Sequence, residues 1–199
     1  MFQKNWRELI KPKLKLEVDE IHASGTYGKF VAEPLERGFG ITIGNSLRRL
    51  LLSSLRGAAI TAVRIRGVLH EFSTIPGVRE DVTDVVLNLK EVRFRSDDEG
   101  PHQARISAKG DRVVKASDIV TPATVEVLNP DAHIATLEKD AQLDLDLTIK
   151  TGRGYVSAEN NKEEGDPVGT IPLDSAFSPV RKVNYTVTNA RVAQRTDYD

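Results

Sequence analysis

The chain has 199 residues, enough for one or two domains with a real core, and its 28 basic and 29 acidic side chains leave a formal charge of −1. That balance removes the bulk electrostatic signature of a nucleic-acid or membrane-surface binder, and the absence of cysteine excludes disulfides and thiolate metal sites. No apolar run is long enough to span a bilayer, and the polar start MFQKNWREL is not a signal peptide, so a cytoplasmic protein is the default expectation.

In chain order, Trp6, Leu9 and Ile10 are possible anchors ahead of a break at Pro12. Residues 13–18 alternate polar and apolar (Leu14, Leu16, Val18), the period of a half-buried strand. A turn at 24–28 and a returning strand at 29–32 complete a hairpin, which Glu33-Pro34 ends because proline cannot donate to a ladder. The stretch 35–57 (LERGFGITIGNSLRRLLLSSLRG) then carries the strongest helical pattern, with Thr42 read as its N-cap and Gly57 as its stop. At about 100° per residue, Ile43, Leu47, Leu50, Leu51 and Leu55 fall on one arc, and Asn45, Arg49, Leu52 and Arg56 on the other. A leucine set among arginines on the outer arc suggests a second surface made for a partner.

Residues 58–66 read as a strong strand, and 67–74 as its continuation or a loop. A second helix is expected from about Val78, with a stripe of Val78, Val82, Val85, Val86 and Leu89. Glu80, Asp81 and Asp84 load its start and Lys90 its end, matching the helix dipole. From 91 to 150 short strands recur at 92–95, 103–108, 124–128 and 143–150, separated by turn clusters, which means an antiparallel region. Residues 152–155 (GRGY) form a compact glycine–arginine–aromatic motif, 159–167 a polar acidic loop, and 182–187 alternate again through Val183, Tyr185 and Val187. The end after Val192 looks abrupt, as in a chain cut short.

No catalytic constellation stands out. Gly38, Gly40 and Gly44 are spaced neither as a dinucleotide fingerprint nor as a P-loop, so tight turns and close backbone approach are the favoured reading. Asp144 and Asp146 could bind Mg²⁺, but their alternation with Leu143, Leu145 and Leu147 is that of an amphipathic strand with a wet face. The four histidines lack metal-ligand spacing. Arg48, Arg49, Arg64, Arg66, Arg93, Arg95 and Arg105 could form a basic stripe, yet acidic residues are interspersed and stacking aromatics are missing. A stand-alone nucleic-acid-binding module and a nucleotide-dependent enzyme remain as rival readings.

The segments 33–40 (EPLERGFG), 44–54 (GNSLRRLLLSS), 67–74 (GVLHEFST), 77–82 (GVREDV), 87–90 (LNLK), 152–155, 178–180 (SPV) and 194–197 (QRTD) resemble, in order, the amino-terminal domain of the bacterial RNA polymerase alpha subunit. The resemblance implies an α+β fold in two parts. Residues 1–56 and 179–199 would form a dimerisation domain of antiparallel sheet and helix, with an inserted, mostly β domain at 57–178 between them. It further implies a non-catalytic assembly subunit, a homodimer that recruits the beta and beta-prime subunits, with omega and sigma in the holoenzyme. The chemistry of the nucleotidyltransferase would belong to beta-prime, and no cofactor or metal is expected in this chain. DNA would be met only through the assembled complex or a further carboxy-terminal domain, in the cytoplasm and at the nucleoid. Phe39, Ile43, Leu47 and Leu50 are the expected dimer or core face. Arg49, Leu52 and Arg56 are expected to touch a large subunit, with Asp81, Lys90 and residues 152–155 as weaker members of that platform.

Overall fold

A computed structural model describes residues 11–17, 26–192 and 195–198. The possible anchors Trp6, Leu9 and Ile10, the end of the first strand at Val18 and the start of the first turn (24–25) lie outside the described residues. The chain divides into two compact units, Met1–Leu50 with Lys182–Asp199, and Leu51–Arg181. The elements are helices and mostly antiparallel strands, an α+β fold.

In the first unit, β1 (Lys13–Glu17) and β2 (Lys29–Glu33) pair antiparallel from Lys13↔Glu33 to Glu17↔Lys29. Exposed ion pairs join their edges at Lys15–Glu33 (3.3 Å) and Lys29–Glu17 (2.6 Å). Helix α1 (Phe39–Ser53) follows, and the division between units falls within it. It begins three residues before the expected cap. Gly38 turns the chain at φ 86°, a left-handed conformation that suits glycine. Thr42 therefore sits inside the helix, and its hydroxyl donates back to the Gly38 carbonyl at 3.2 Å instead of capping. Gly40 is the one buried residue of α1. A Cβ on Gly44 would stand 2.5 Å from the ring of Tyr185, so this glycine marks close approach, as its spacing implies. The alternation at 182–187 does not become a strand: residues 181–189 carry no regular secondary structure. Alternation makes a strand only where a neighbour offers a ladder, and Tyr185 instead lies over Gly44. Strands β13 (Ala190–Val192) and β14 (Arg195–Tyr198) form a second hairpin.

The second unit is built on β3 (Arg56–Ile65) and β9 (Gln142–Arg153), paired antiparallel from Arg56↔Arg153 to Ile65↔Leu145. With β4 (Phe94–Ser96), β5 (His102–Lys109) and β7 (Val125–Val127) they make a sheet in the order β5-β9-β3-β4-β7. Leu143, Leu145, Leu147 and Ile149 are fully buried, as their alternation predicts. Helix α2 (Val82–Glu91) sets Val82, Val85, Val86 and Leu89 into the same core, and Asn88 Nδ2 donates to the Ile134 carbonyl at 2.9 Å. It starts four residues later than its apolar stripe suggests. Val78 bridges to Leu137, and the Glu80 carboxylate accepts from the Thr136 N–H (2.7 Å) and hydroxyl (2.9 Å). Asp81 is the N-cap, accepting from the Asp84 N–H at 2.8 Å.

The remaining elements close the core. Strands β6 (Arg112–Lys115) and β8 (His133–Leu137) pair with each other, and a 3-10 turn spans Ala116–Asp118. Strand β10 (Tyr155–Val156) pairs with β12 (Ser175–Ala176), and β11 (Thr170–Pro172) pairs with β3. The short helix α3 (Ala158–Asn161) is anchored by a buried relay: Asn161 Nδ2 donates to Ser175 Oγ (3.0 Å), and that hydroxyl donates to the Ile60 carbonyl (2.7 Å). Gly57 does not stop the helix. It lies within β3, opposite Gly152. A Cβ on Gly57 would meet the Phe177 carbonyl oxygen at 2.0 Å, and one on Gly152 the Phe177 ring at 2.8 Å. The two glycines form a notch across the ladder that admits buried Phe177.

The wet face of β9 is an ion-pair ladder. Asp146 lies opposite Arg64 and Arg105 and accepts from both, at 2.7 and 2.9 Å. Asp144 accepts from Ser107 Oγ at 2.7 Å and lies 3.6 Å from Arg66. The Arg64 hydrogen bond, with Arg105 beside it, holds the Asp146 carboxyl below its ordinary range, and the Ser107 hydroxyl with Gln142 does the same for Asp144. The expected wet face is therefore present.

Gly57→Ala is expected to destabilise the protein by about 3 kcal/mol and Gly152→Ala by about 1 kcal/mol, because the first meets backbone and the second a movable ring. Urea unfolding measures both, and Phe177→Ala should relieve the Gly152→Ala penalty but not the Gly57→Ala one. In pH titrations the depressed carboxyls favour their charged form in the fold. Their contribution is full above the unfolded value of about 3.9 and is lost as pH falls through the lower folded values. Asp146→Asn should make acid unfolding less steep below about pH 4, read as the urea midpoint against pH.

Candidate subunit-assembly surface

Helix α1 carries the first set of candidates. Phe39, Leu47 and Leu50 are each about half exposed (44, 51 and 50%), and Ile43 is half-buried. The alternative that this arc rests on the chain's own core is corrected: the residues at i, i+4, i+8 and i+11 form a stripe that the chain leaves largely uncovered. Within the first unit, Leu14 (70% exposed) on β1 and Phe30 (64%) on β2 are uncovered as well. An exposed apolar stripe on an amphipathic helix is a surface that a partner can cover.

Arg49 is exposed and Leu52 half-buried, three residues apart on α1. Arg56 does not continue their arc. The helix ends at Ser53, and Arg56 is the first residue of β3. Its position follows from the β3–β9 register, which sets it opposite Arg153 of the glycine–arginine–aromatic motif. Its guanidinium is ion-paired with Glu99.

The other platform candidates separate. Asp81 is engaged as the α2 cap. Lys90, in the last turn of α2, reaches Asp174 at 3.2 Å. The same carboxylate accepts from the Ala158 N–H at 2.8 Å and interacts with the Tyr155 hydroxyl. The Ala158 N–H and the Lys90 ammonium hold the Asp174 carboxyl below its ordinary range, while partial desolvation and this neighbouring negative charge push the Tyr155 phenol up. Lys90 and Tyr155, 65 positions apart, are thus gathered around one acid that sequence reasoning did not single out. Asp174 sits in a Pro-Leu-Asp segment with no periodicity of its own, and only the pairing of β12 with β10 brings it there.

Four of the seven arginines of the expected basic stripe face acids. Arg64, Arg66 and Arg105 face Asp144 and Asp146, and Arg95 pairs with Glu126 at 2.8 Å. Among the described residues no group of three histidine, cysteine or acidic side chains is placed to hold a metal ion. None of the described helices is long and apolar enough to cross a membrane. The geometry offers surface for macromolecular contact: an apolar helical stripe, an arginine–leucine pair on α1, and an arginine–tyrosine patch where β9 leads into β10.

Comparison with known proteins agrees with that character. Residues 63–178 match the family model described as the RNA polymerase Rpb3/RpoA insert domain. Over 196 residues the chain is 60% identical to the DNA-directed RNA polymerase subunit alpha of Geobacter metallireducens, covering 98% of this chain and 57% of that protein. The alpha subunit of Pelobacter propionicus is 59% identical over the same shares, and that of Alkaliphilus oremlandii 59% identical over 96% of this chain and 61% of its own length. The chain spans about three-fifths of the length of the curated relatives it matches. The insert-domain match covers more than half of the sequence and the identity runs through nearly all of it, and the chain belongs to the RNA polymerase Rpb3/RpoA family, with bacterial alpha subunits as its relatives.

Proposed function

We propose that this chain is the assembly portion of a bacterial RNA polymerase alpha subunit, a non-catalytic part of the DNA-directed enzyme acting in the cytoplasm at the nucleoid. The observation that carries the proposal is the identity of about 60% to alpha subunits across 98% of the chain. The uncovered stripe Phe39–Ile43–Leu47–Leu50 supports a homodimer formed through residues 1–56 and 179–199, in which a second copy covers what one chain leaves exposed. Arg49 and Leu52 on α1 and, separately, the inserted domain at 57–178 are then the candidate contacts for the beta and beta-prime subunits. Arg49 is the leading contact, since a guanidinium is weakly hydrated and forks its donors toward a partner. Lys90 and Tyr155, held by Asp174, form a second patch. DNA, omega and sigma are met through the assembled complex. A stand-alone nucleic-acid module is disfavoured by the pairing of Arg64, Arg66, Arg95 and Arg105 with acids.

Pull-down with the purified beta subunit tests this reading. Arg49→Ala should leave a folded dimer that captures beta at least roughly tenfold less well, as for an interface hot spot. Normal recovery of beta would sink the assignment of Arg49. Leu47→Asp should abolish dimerisation in sedimentation equilibrium, because it places a charge in the middle of the apolar stripe. An unchanged dimer constant would remove this stripe from the interface.

A further inference from the structure

The pairing of Arg56 with Arg153 breaks a rule that the rest of the sheet obeys. Directly opposed residues of an antiparallel pair share one face with their Cβ atoms about 5 Å apart, and like charges there repel. Elsewhere in this sheet arginines are set against acids, as Arg64 and Arg105 are against Asp146. At the end of the β3–β9 ladder two exposed arginines face each other instead. Arg153 has no ion pair among the described residues.

Among the described residues, the carboxylate that answers them comes from a loop. Glu99 meets Arg56, and its position is set by its neighbours. The Asp98 carbonyl accepts from Thr151 Oγ1 (3.0 Å) and Ser96 Oγ (2.9 Å), and the buried His102 ring lies against the Asp98 carboxylate. Gly100 then turns the chain at φ 70°. The loop is thus pinned at Asp98, so Glu99 can leave Arg56 without releasing the loop. Glu99 is itself highly exposed, and an exposed pair of this kind is worth little and is readily exchanged.

We infer that the Arg56–Arg153 pair is a docking site for a carboxylate-bearing segment of a protein partner, with Glu99 as an internal stand-in that the partner displaces. The inference rests on the assembly reading above and takes the partner to be a large polymerase subunit. Carboxylate is the chemistry the site already holds in Glu99, and two guanidinium forks side by side can grip acidic side chains in bidentate fashion. Exposed Tyr155, two residues beyond Arg153, adds the aromatic contact that protein interfaces favour.

The test uses the full alpha chain and purified beta subunit at low and high salt, with Arg49→Ala as the control for the assembly reading. Arg153→Gln should weaken capture of beta by roughly tenfold, and Glu99→Gln should strengthen it by roughly threefold by removing the competitor. Both differences should shrink near about 0.5 M salt, where exposed charges are screened. Arg153→Lys should retain part of the affinity, and urea midpoints of all variants check folding. If Arg49→Ala loses beta while Arg153→Gln and Glu99→Gln bind as the parent does, the docking site is refuted and the assembly reading stands. If the parent chain captures no beta, both fall. If Arg153→Gln lowers the salt-dependent DNA affinity of the assembled polymerase and leaves beta capture unchanged, the pair serves phosphate and the inference is overturned.

Discussion

The antiparallel ladder between β3 and β9 is the constraint on which the Leu51–Arg181 unit depends. Its register decides at once which side chains enter the core, which form the ion-pair face and which reach the rim. Leu145, Leu147 and Ile149 go inward, Asp144 and Asp146 outward, and a slip of one residue would exchange them. An irregularity between Ile60 and Ala62 leaves Thr61 without a partner in the register; it is buried, and its hydroxyl donates to the Thr148 carbonyl at 3.3 Å. The ladder also brings Gly57 to Gly152, and only that coincidence makes room for Phe177 and lets its N–H reach the Gly154 carbonyl at 2.8 Å. The positions of Arg153, Gly154 and Tyr155 are consequences of that packing.

The two units differ in how they satisfy the hydrophobic effect. The Leu51–Arg181 unit buries a contiguous core that runs from Ile60 on β3 through α2 to Leu173. In the other unit, Leu14, Phe30, Phe39, Leu47 and Leu50 remain 44–70% exposed. Fully covering a side chain of this size stabilises a protein by about 1.5–3 kcal/mol, so leaving several uncovered in one unit forgoes a large share of a domain's net stability. Association would stabilise a surface of that composition, and a second copy of the same chain is the partner that the proposed assembly supplies.

What could be read from the sequence follows the range of the forces involved. Period-two alternation located β9 because burial of one sheet face is imposed residue by residue; it also marked β1, whose residues are all exposed, while the turn before β2 and the turn clusters around β5 pointed to those strands. The apolar stripe found α2, yet its start was misplaced because the Val78 bridge and the Glu80 hydrogen bonds come from β8, more than fifty residues away. The start of α1 differs for a local reason: Gly38 and the backbone turn before it open the helix, and a hydroxyl four residues after that glycine imitates a cap. Gly57 imitated a helix stop in the same way, although its absent side chain answers to Phe177. Strands β6, β8, β10 and β12 are too short to carry a pattern. In the candidate surface, Arg49 and Lys90 were legible from the helical period and the dipole, whereas Asp174 and Glu99 reach their partners across 84 and 43 positions and leave no local trace.

The treatment of arginine separates structural from functional charge in this chain. On the wet face of the sheet each arginine lies near a carboxylate from an adjacent strand, and the hydrogen-bonded acids are held ionised well below neutral pH. Such pairs orient side chains and limit self-repulsion, and they contribute little beyond that. At the rim the same residue type is set against itself, and the compensating acid is delivered by a loop instead of a strand. Local rules that hold throughout a sheet and fail at one exposed pair mark a place where something other than folding chose the residues. Here the departure falls beside the glycine notch and the Tyr155–Asp174–Lys90 cluster, so the rim gathers positive charge, an aromatic ring and firmly anchored backbone in one place. Those are ingredients suited to protein binding, and their anchoring by the ladder means that a partner docking at the proposed site would meet them already ordered.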